Sequence, residues 1–221
     1  MALEPGIDHR GLTLMTDPNH AIRDDIAFMR ALAEEGRNTP MLGGSILLAA
    51  GLIFGTANGI GAYLEATHTP FSNAAWALPM GSVVVFLAVL AVLKRNRAGL
   101  PGATSPVNRA TGTMWRAVGW SIMLMAVALG VAAWRLDDWR LLAALPIVIF
   151  ALYGAGWQVA AAMTRAGWLR SVAFGSYATA ALVAYFAAQP LASSLVSTVG
   201  LLTLVAAPGF VLMRQAPSLI V

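Results

Sequence analysis

The chain has 221 residues, 58% of them hydrophobic and only 11% charged, with a formal net charge of +4 and no cysteine. A soluble domain of average composition is about 45–50% apolar and about 25% charged, so this chain carries too little charge to coat a water-soluble globule. The same composition argues against extended disorder. The missing cysteine excludes disulfide scaffolds, thiolate metal sites, iron–sulfur clusters and a cysteine nucleophile. What remains is an all-α polytopic membrane bundle.

Residues 1–40 differ from the rest. They hold seven acids and four arginines, a net of −3, against +7 for the remainder. A basic start, an apolar stretch and a small-residue cleavage site are all missing, so this stretch does not read as a secretory signal. Asp17-Pro18 is a helix start, with Asp as N-cap and Pro at the first helical position. Ile22, Ile26, Met29 and Ala33 recur at helical spacing, with Phe28 and Leu32 beside them, and Gly36 suits a C-cap. The pattern predicts an amphipathic helix over 18–35. Three roles are open for it: the inner membrane surface, the cytoplasmic loops, or another protein. Membrane-surface helices are usually rich in Lys and Arg, whereas this one is acidic, which favours protein contact through Ile22, Ile26, Met29 and Ala33. His9 and His20 have no neighbouring ligands, and Met15 is an alternative start.

A spanning helix needs about 20 mostly apolar residues. Six segments qualify: 41–64, 74–93, 115–134, 141–163, 169–188 and 191–213. The predicted organisation is therefore a cytoplasmic tail (1–40), a six-helix transmembrane domain (41–213) and a cytoplasmic C-terminal tail (214–221). Charges sit at the borders of the spans, as their desolvation cost in hydrocarbon requires. Six spans put both termini on one side. That side collects twelve Lys and Arg, and the other holds only Arg135 and Arg140. The asymmetry predicts cytoplasmic termini. Trp76, Trp134 and Trp139 fall at the outer border and Trp115 and Trp168 at the inner one, where indoles prefer to lie, while Trp120 is a turn deeper.

The outer loops, 65–73, 135–140 and 189–190, are short. Residues 135–140 read as a tight helix–helix turn with an Asp capping the next helix. The stretch 94–116, with Pro101, Gly102, Ser105 and Pro106 between basic ends, reads as an irregular linker. Its charge is accounted for by topology, so no nucleic-acid partner is expected. A faint three-hairpin repeat is suggested by Gly43-Gly44-Ser45, Gly119-Trp120-Ser121 and Phe174-Gly175-Ser176, and by Ala77-Leu78-Pro79 against Ala144-Leu145-Pro146.

Within the first span, Gly51, Gly55 and Gly59 share one face and let another helix approach closely, either inside the bundle or at a homodimer seam. Pro79 and Pro146 are placed in first helical turns. Pro208 is deeper and frees backbone carbonyls near Leu204, so a kink is expected unless packing hides it. Buried polar groups need partners. Asn58 and Ser82 are matched in depth on the first two spans. The short 164–168 connection makes Gln158 a neighbour of Ser176 and Tyr177. Tyr153, Trp157, Gln158, Ser176 and Tyr177 therefore form a candidate polar pocket for a small neutral solute, or simple interhelical glue.

Catalytic chemistry finds little footing. No span holds a histidine or an internal acid, which excludes buried bis-histidine haem, an intramembrane Ser–His dyad and a proton relay. His68 and Glu65 alone do not make a metal site. No phosphate-binding glycine loop is present. No cofactor, metal or catalytic residue is expected.

The run Asp25-Ile26-Ala27-Phe28-Met29-Arg30-Ala31-Leu32-Ala33-Glu34-Glu35-Gly36-Arg37, followed by Gly43-Gly44 at the first span, resembles uncharacterised bacterial multi-span inner-membrane proteins. The Ala- and Arg-rich, Lys-poor usage is similar to that of alphaproteobacteria. The resemblance implies the bacterial inner membrane and carries no activity. The expected function is non-enzymatic: a regulatory, assembly or interaction module working through its tail helix, with a cytoplasmic protein or a second copy as partner. The alternative is a facilitator or transporter component for a small uncharged solute.

Overall fold

A computed structural model describes residues 22–23, 25–29, 43–67, 74–97 and 106–215. The chain divides into two units, Met1–Asn38 and Thr39–Val221. In the first unit the described residues are helical, and Ile22, Ile26, Phe28 and Met29 are exposed. Ala33 and the rest of the expected tail helix lie outside the described residues.

The second unit contains six helices and no strand among the described residues: α1 (Gly44–Ala66), α2 (Ala74–Arg97), α3 (Pro106–Leu136), α4 (Ala144–Thr164), α5 (Gly167–Tyr185) and α6 (Pro190–Gln215). Five of them, all but α5, are long and apolar enough to cross a membrane. The segment expected over 169–188 does form a helix, but a shorter and more polar one. Trp168 and Arg170 occupy its first turn, and Gly175, Ser176, Tyr177 and Thr179 interrupt its apolar run.

Helix α6 lies against α1 and α5. Phe150 and Trp157 of α4 also reach it. The α1–α6 pairing is the most extensive, and that between α4 and α5 comes next. Helix α2 is carried by α1, with Phe54 and Phe86 rings 5.2 Å apart, and α3 is carried by α4. These two outer helices bury little of themselves. The core is built from Leu47 of α1, Phe150 and Trp157 of α4, Leu169 and Val183 of α5, and Val205 of α6.

Several expected details differ. Residues 94–97 and 106–116 are helical, so most of the irregular linker is helix. Pro106 opens α3 at a position where its missing N–H costs nothing. Thirty-one residues at about 1.5 Å each extend roughly 46 Å, well beyond an apolar core of about 30 Å, so one end of α3 reaches past the hydrocarbon. Pro79 lies inside α2 rather than in its first turn, because the helix already begins at Ala74. Trp115 is not a border residue free in the headgroup layer. Its ring sits 5.0 Å from Trp157 and 5.8 Å from Tyr153. Trp134, Trp139 and Trp168 are exposed, and so is the deeper Trp120. The side chain of Trp76 lies outside the described residues.

The α3–α4 turn is closed by its two aspartates. Asp137 takes a left-handed conformation, φ 51°, and the Asp138 N–H donates to the Ala133 carbonyl at 3.0 Å. That pattern ends α3 in a Schellman motif, with Asp where Gly is usual. The Asp138 carboxylate then accepts the Arg140 N–H at 3.0 Å and caps the 3₁₀ turn Trp139–Ala143 that leads into α4.

Candidate functional site

Within lipid, helices gain nothing by hiding apolar side chains from one another, so association rests on close packing and interhelical hydrogen bonds. The α1–α6 contact shows both. A Cβ added at Gly51 would collide with the backbone of Ala206, one at Gly55 would press on Leu202, and one at Gly59 would meet the Thr198 methyl. Further along, Gly44 lies against the backbone at Gly209, Leu212 and Met213, and Gly209 against Leu47 and Leu48. The residue numbers fall on one helix as they rise on the other, so the pair is antiparallel. The three glycines singled out in α1 are therefore occupied within the chain.

At the other end of this seam the Asn58 Nδ2 donates to the Ser194 carbonyl at 3.0 Å and to Thr198 Oγ1 at 3.3 Å. Thr198 Oγ1 in turn donates to the Ser194 carbonyl at 2.8 Å. The expected Asn58–Ser82 pair does not form. Ser82 Oγ donates to the Pro79 carbonyl of its own helix at 2.8 Å. The antiparallel α1–α6 contact brings Ser194 and Thr198 to Asn58, and no feature of the sequence ranks them above Ser82.

The centre of the bundle is occupied by Trp157, which is fully buried. Its indole N–H donates to the Leu204 carbonyl at 3.0 Å. The reason lies four residues further on. Pro208 has no N–H to give, so the Leu204 carbonyl loses its usual i→i+4 donor. Helix α6 answers by widening into a π turn over Leu202–Ala206, in which the Ala207 N–H reaches back to the Leu202 carbonyl. The anticipated distortion at Pro208 is thus a π turn whose freed carbonyl is filled by an indole from α4. A sequence gives Pro208 away, but the donor that serves Leu204 is visible only in three dimensions.

The five residues of the candidate pocket are split by helical phase. Phe150, Tyr153, Trp157 and Ala160 recur along the buried stripe of α4. A step of one residue turns the helix by about 100°, which carries Gln158 off that stripe to an exposed position beside Ala155, Val159 and Ala162. Ser176 is fully buried, and its hydroxyl donates to the Val172 carbonyl one turn back at 2.9 Å. Tyr177 leaves the core at the rim, its ring covering Gly154. No hydrogen bond joins Gln158 to Ser176 or Tyr177 among the described residues. The structure brings Tyr153 and Trp157 together with Trp115, and it leaves Gln158 outside.

Two buried polar atoms have no hydrogen-bond partner among the described residues, the Trp115 Nε1 and the Ser197 Oγ. Thr111 Oγ1 approaches the Met163 sulfur at 3.9 Å and ties the start of α3 to the end of α4. Among the described residues no group of three His, Asp or Glu could hold a metal ion. Of the tail residues singled out for docking, Ile22, Ile26 and Met29 are helical and exposed, and Ala33 lies outside the described residues. No protein-family model matches the chain, and neither does any curated protein or solved structure.

Proposed function

We propose that this protein is a non-enzymatic, six-span module of a bacterial inner membrane, with both termini cytoplasmic, that works by engaging a cytoplasmic protein through its tail helix. The observation that supports the reading is a helical stretch in the tail with Ile22, Ile26, Phe28 and Met29 all exposed. Exposed apolar side chains at i, i+4 and i+7 match the anchors of a helix that docks in a groove. The interior of the bundle points the same way, because the buried hydroxyls of Ser176 and Thr179 and the indole N–H of Trp157 are spent on backbone carbonyls. Removing residues 15–37 tests the idea. Complexes recovered in mild detergent should lose a cytoplasmic component, and full retention of every component would end it.

The sixth crossing belongs to this reading. Helix α5 pairs closely with α4, to which a two-residue connection joins it, and α6 then returns across the membrane. Twelve cationic residues on one side against two on the other support cytoplasmic termini.

A second reading, a facilitator for a small uncharged solute, is favoured by one feature. The π turn falls in a helix packed against α1 and α5, and π turns are found often at functional sites. It predicts that Gln158→Leu or Tyr177→Phe lowers solute uptake into vesicles without unfolding the protein. Unchanged uptake with both variants would eliminate it.

A further inference from the structure

Cations gather at one end of the six-helix unit, and no acid of that unit joins them. The end at which α3 starts also holds the end of α4, since Thr111 meets Met163, and the start of α5, which two residues join to α4. Arg109, Arg116, Arg165 and Arg170 are all exposed there. After residue 40 the chain has only three acids, Glu65, Asp137 and Asp138. Asp137 and Asp138 sit in the α3–α4 turn, at the opposite end. Glu65, in the last turn of α1, is at that end too, because α4 and α6 run parallel (Phe150 meets Gly200, and Trp157 meets Leu204) while α1 runs against α6. The rule that fixes topology counts Lys and Arg and is almost indifferent to Asp and Glu. It accounts for the cations and not for the missing acids.

The most ordered arrangement at this end is on α3. Arg109, Thr113, Arg116 and Trp120 are spaced by three or four residues, so they share a face, and all four are exposed. The Arg116 guanidinium is drawn back along this face. Its Nε donates to the Gly112 carbonyl at 3.3 Å and its Nη2 to Thr113 Oγ1 at 3.0 Å. That aims it toward Arg109, and Gly112 between them is open, since an added Cβ would meet nothing within 4 Å. Depth agrees. Helix α3 exceeds the hydrocarbon by about 16 Å, or roughly eleven residues. With Arg135 the only charge over 117–136, that excess is the stretch 106–116. Arg116 therefore stands at the headgroup boundary. Below it the same face continues as exposed Leu124, Val127 and Val131.

We infer that this face of α3 seats an anionic phospholipid, with its phosphate between Arg109 and Arg116 and an acyl chain along Leu124 and Val127. Charge selects the headgroup, because two guanidinium groups without a neighbouring acid attract phosphate. Depth selects a lipid over a soluble anion, because the cations and the apolar stripe form one continuous surface that crosses the boundary. The inference rests on α3 spanning the membrane and not on the tail helix.

The chain has no native cysteine, so Leu124→Cys carries a single fluorophore about 12 Å below Arg116. The full-length labelled protein is placed in vesicles of equal phosphatidylcholine and phosphatidylglycerol, with bromine on the chains of one lipid or the other. Quenching should report phosphatidylglycerol associating about fivefold more strongly than phosphatidylcholine, the scale of one Lys or Arg at an anionic surface. Arg109→Gln with Arg116→Gln should abolish the preference, and Arg109→Lys with Arg116→Lys should keep most of it. Lys94→Gln with Arg95→Gln removes the same charge from α2 and should leave the preference unchanged. Either Gln pair takes the twelve cations of that side to ten, against two, so the direction of insertion is kept. Equal quenching by the two lipids overturns the proposal. So does an equal loss with the α2 pair, which would mean a diffuse field. Loss of the preference on adding glycerol 1-phosphate would make a soluble phosphate the ligand, and a label that neither lipid quenches would mean that protein covers the face. Each of these overturns it as well.

Discussion

Two single positions show how closely backbone chemistry governs this bundle. The Leu204 carbonyl, deprived of its donor by Pro208, is filled by the Trp157 indole. Trp157→Phe keeps most of the ring volume and removes only the N–H, so it should cost about 1 kcal/mol, the scale of an interhelical bond in a membrane. Reversible unfolding in mixed micelles would measure it, and no change at all would mean that water or a rearranged turn serves the carbonyl. At the α3–α4 turn, Asp138→Ala should lose about 1 kcal/mol with its cap. The neighbouring Asp137→Gly should be neutral or stabilising, because glycine takes the left-handed conformation without penalty. The same unfolding assay should rank the two substitutions in that order. The cap could be read from Asp137-Asp138 standing between two apolar runs. The role of Trp157 could not, since its acceptor lies 47 residues away.

Among the helices, the informative contrast is between glycines that look alike in sequence. Gly43 and Gly119 occupy matching places in the apparent hairpin repeat, and so do Gly44 and Gly175. The first two face open space, whereas Gly44 touches the α6 backbone and Gly175 the Leu204 side chain. Neighbouring glycines of one motif thus have opposite surroundings. The seam predicts a matched pair of outcomes. Gly51→Ala should destabilise by about 1–3 kcal/mol, because the new methyl meets the backbone of Ala206 and neither helix can yield without losing the rest of the seam. Gly81→Ala, with nothing near its added carbon, should be neutral or gain about 0.5–1 kcal/mol from helix propensity. Thermal inactivation or steric trapping of both variants would check the difference. The spacing of Gly51, Gly55 and Gly59 announced that some helix approaches closely. It could not say which one, because small residues in α2 and α3 are just as frequent. In the same way the stripe Phe150, Tyr153, Trp157 and Ala160 marked the buried side of α4, and reading it strictly would have turned Gln158 outward.

For the molecule as a whole, the membrane class and the approximate helix positions were legible, because hydrocarbon thickness and desolvation leave few alternatives. Helix ends at the water boundary were less so. Loop composition suggested a linker where α3 continues to Pro106, since polar and basic residues are as much at home on an emerging helix as in a coil. Whether α5 crosses can be tested directly. Gly167→Cys should label only from the cytoplasm and Ala188→Cys only from outside, and labelling of both from one side would remove the sixth crossing. The pairing of first helix with last also has a consequence for how the protein is made. Asn58 finds its hydroxyl partner 140 residues later, so α1 must wait in the bilayer, its glycine groove unfilled, until α6 has been made. Quality control at the insertion machinery has a single late event to monitor. A nascent chain that stops short of Pro190 should be a substrate for membrane proteases, however well its other helices have docked.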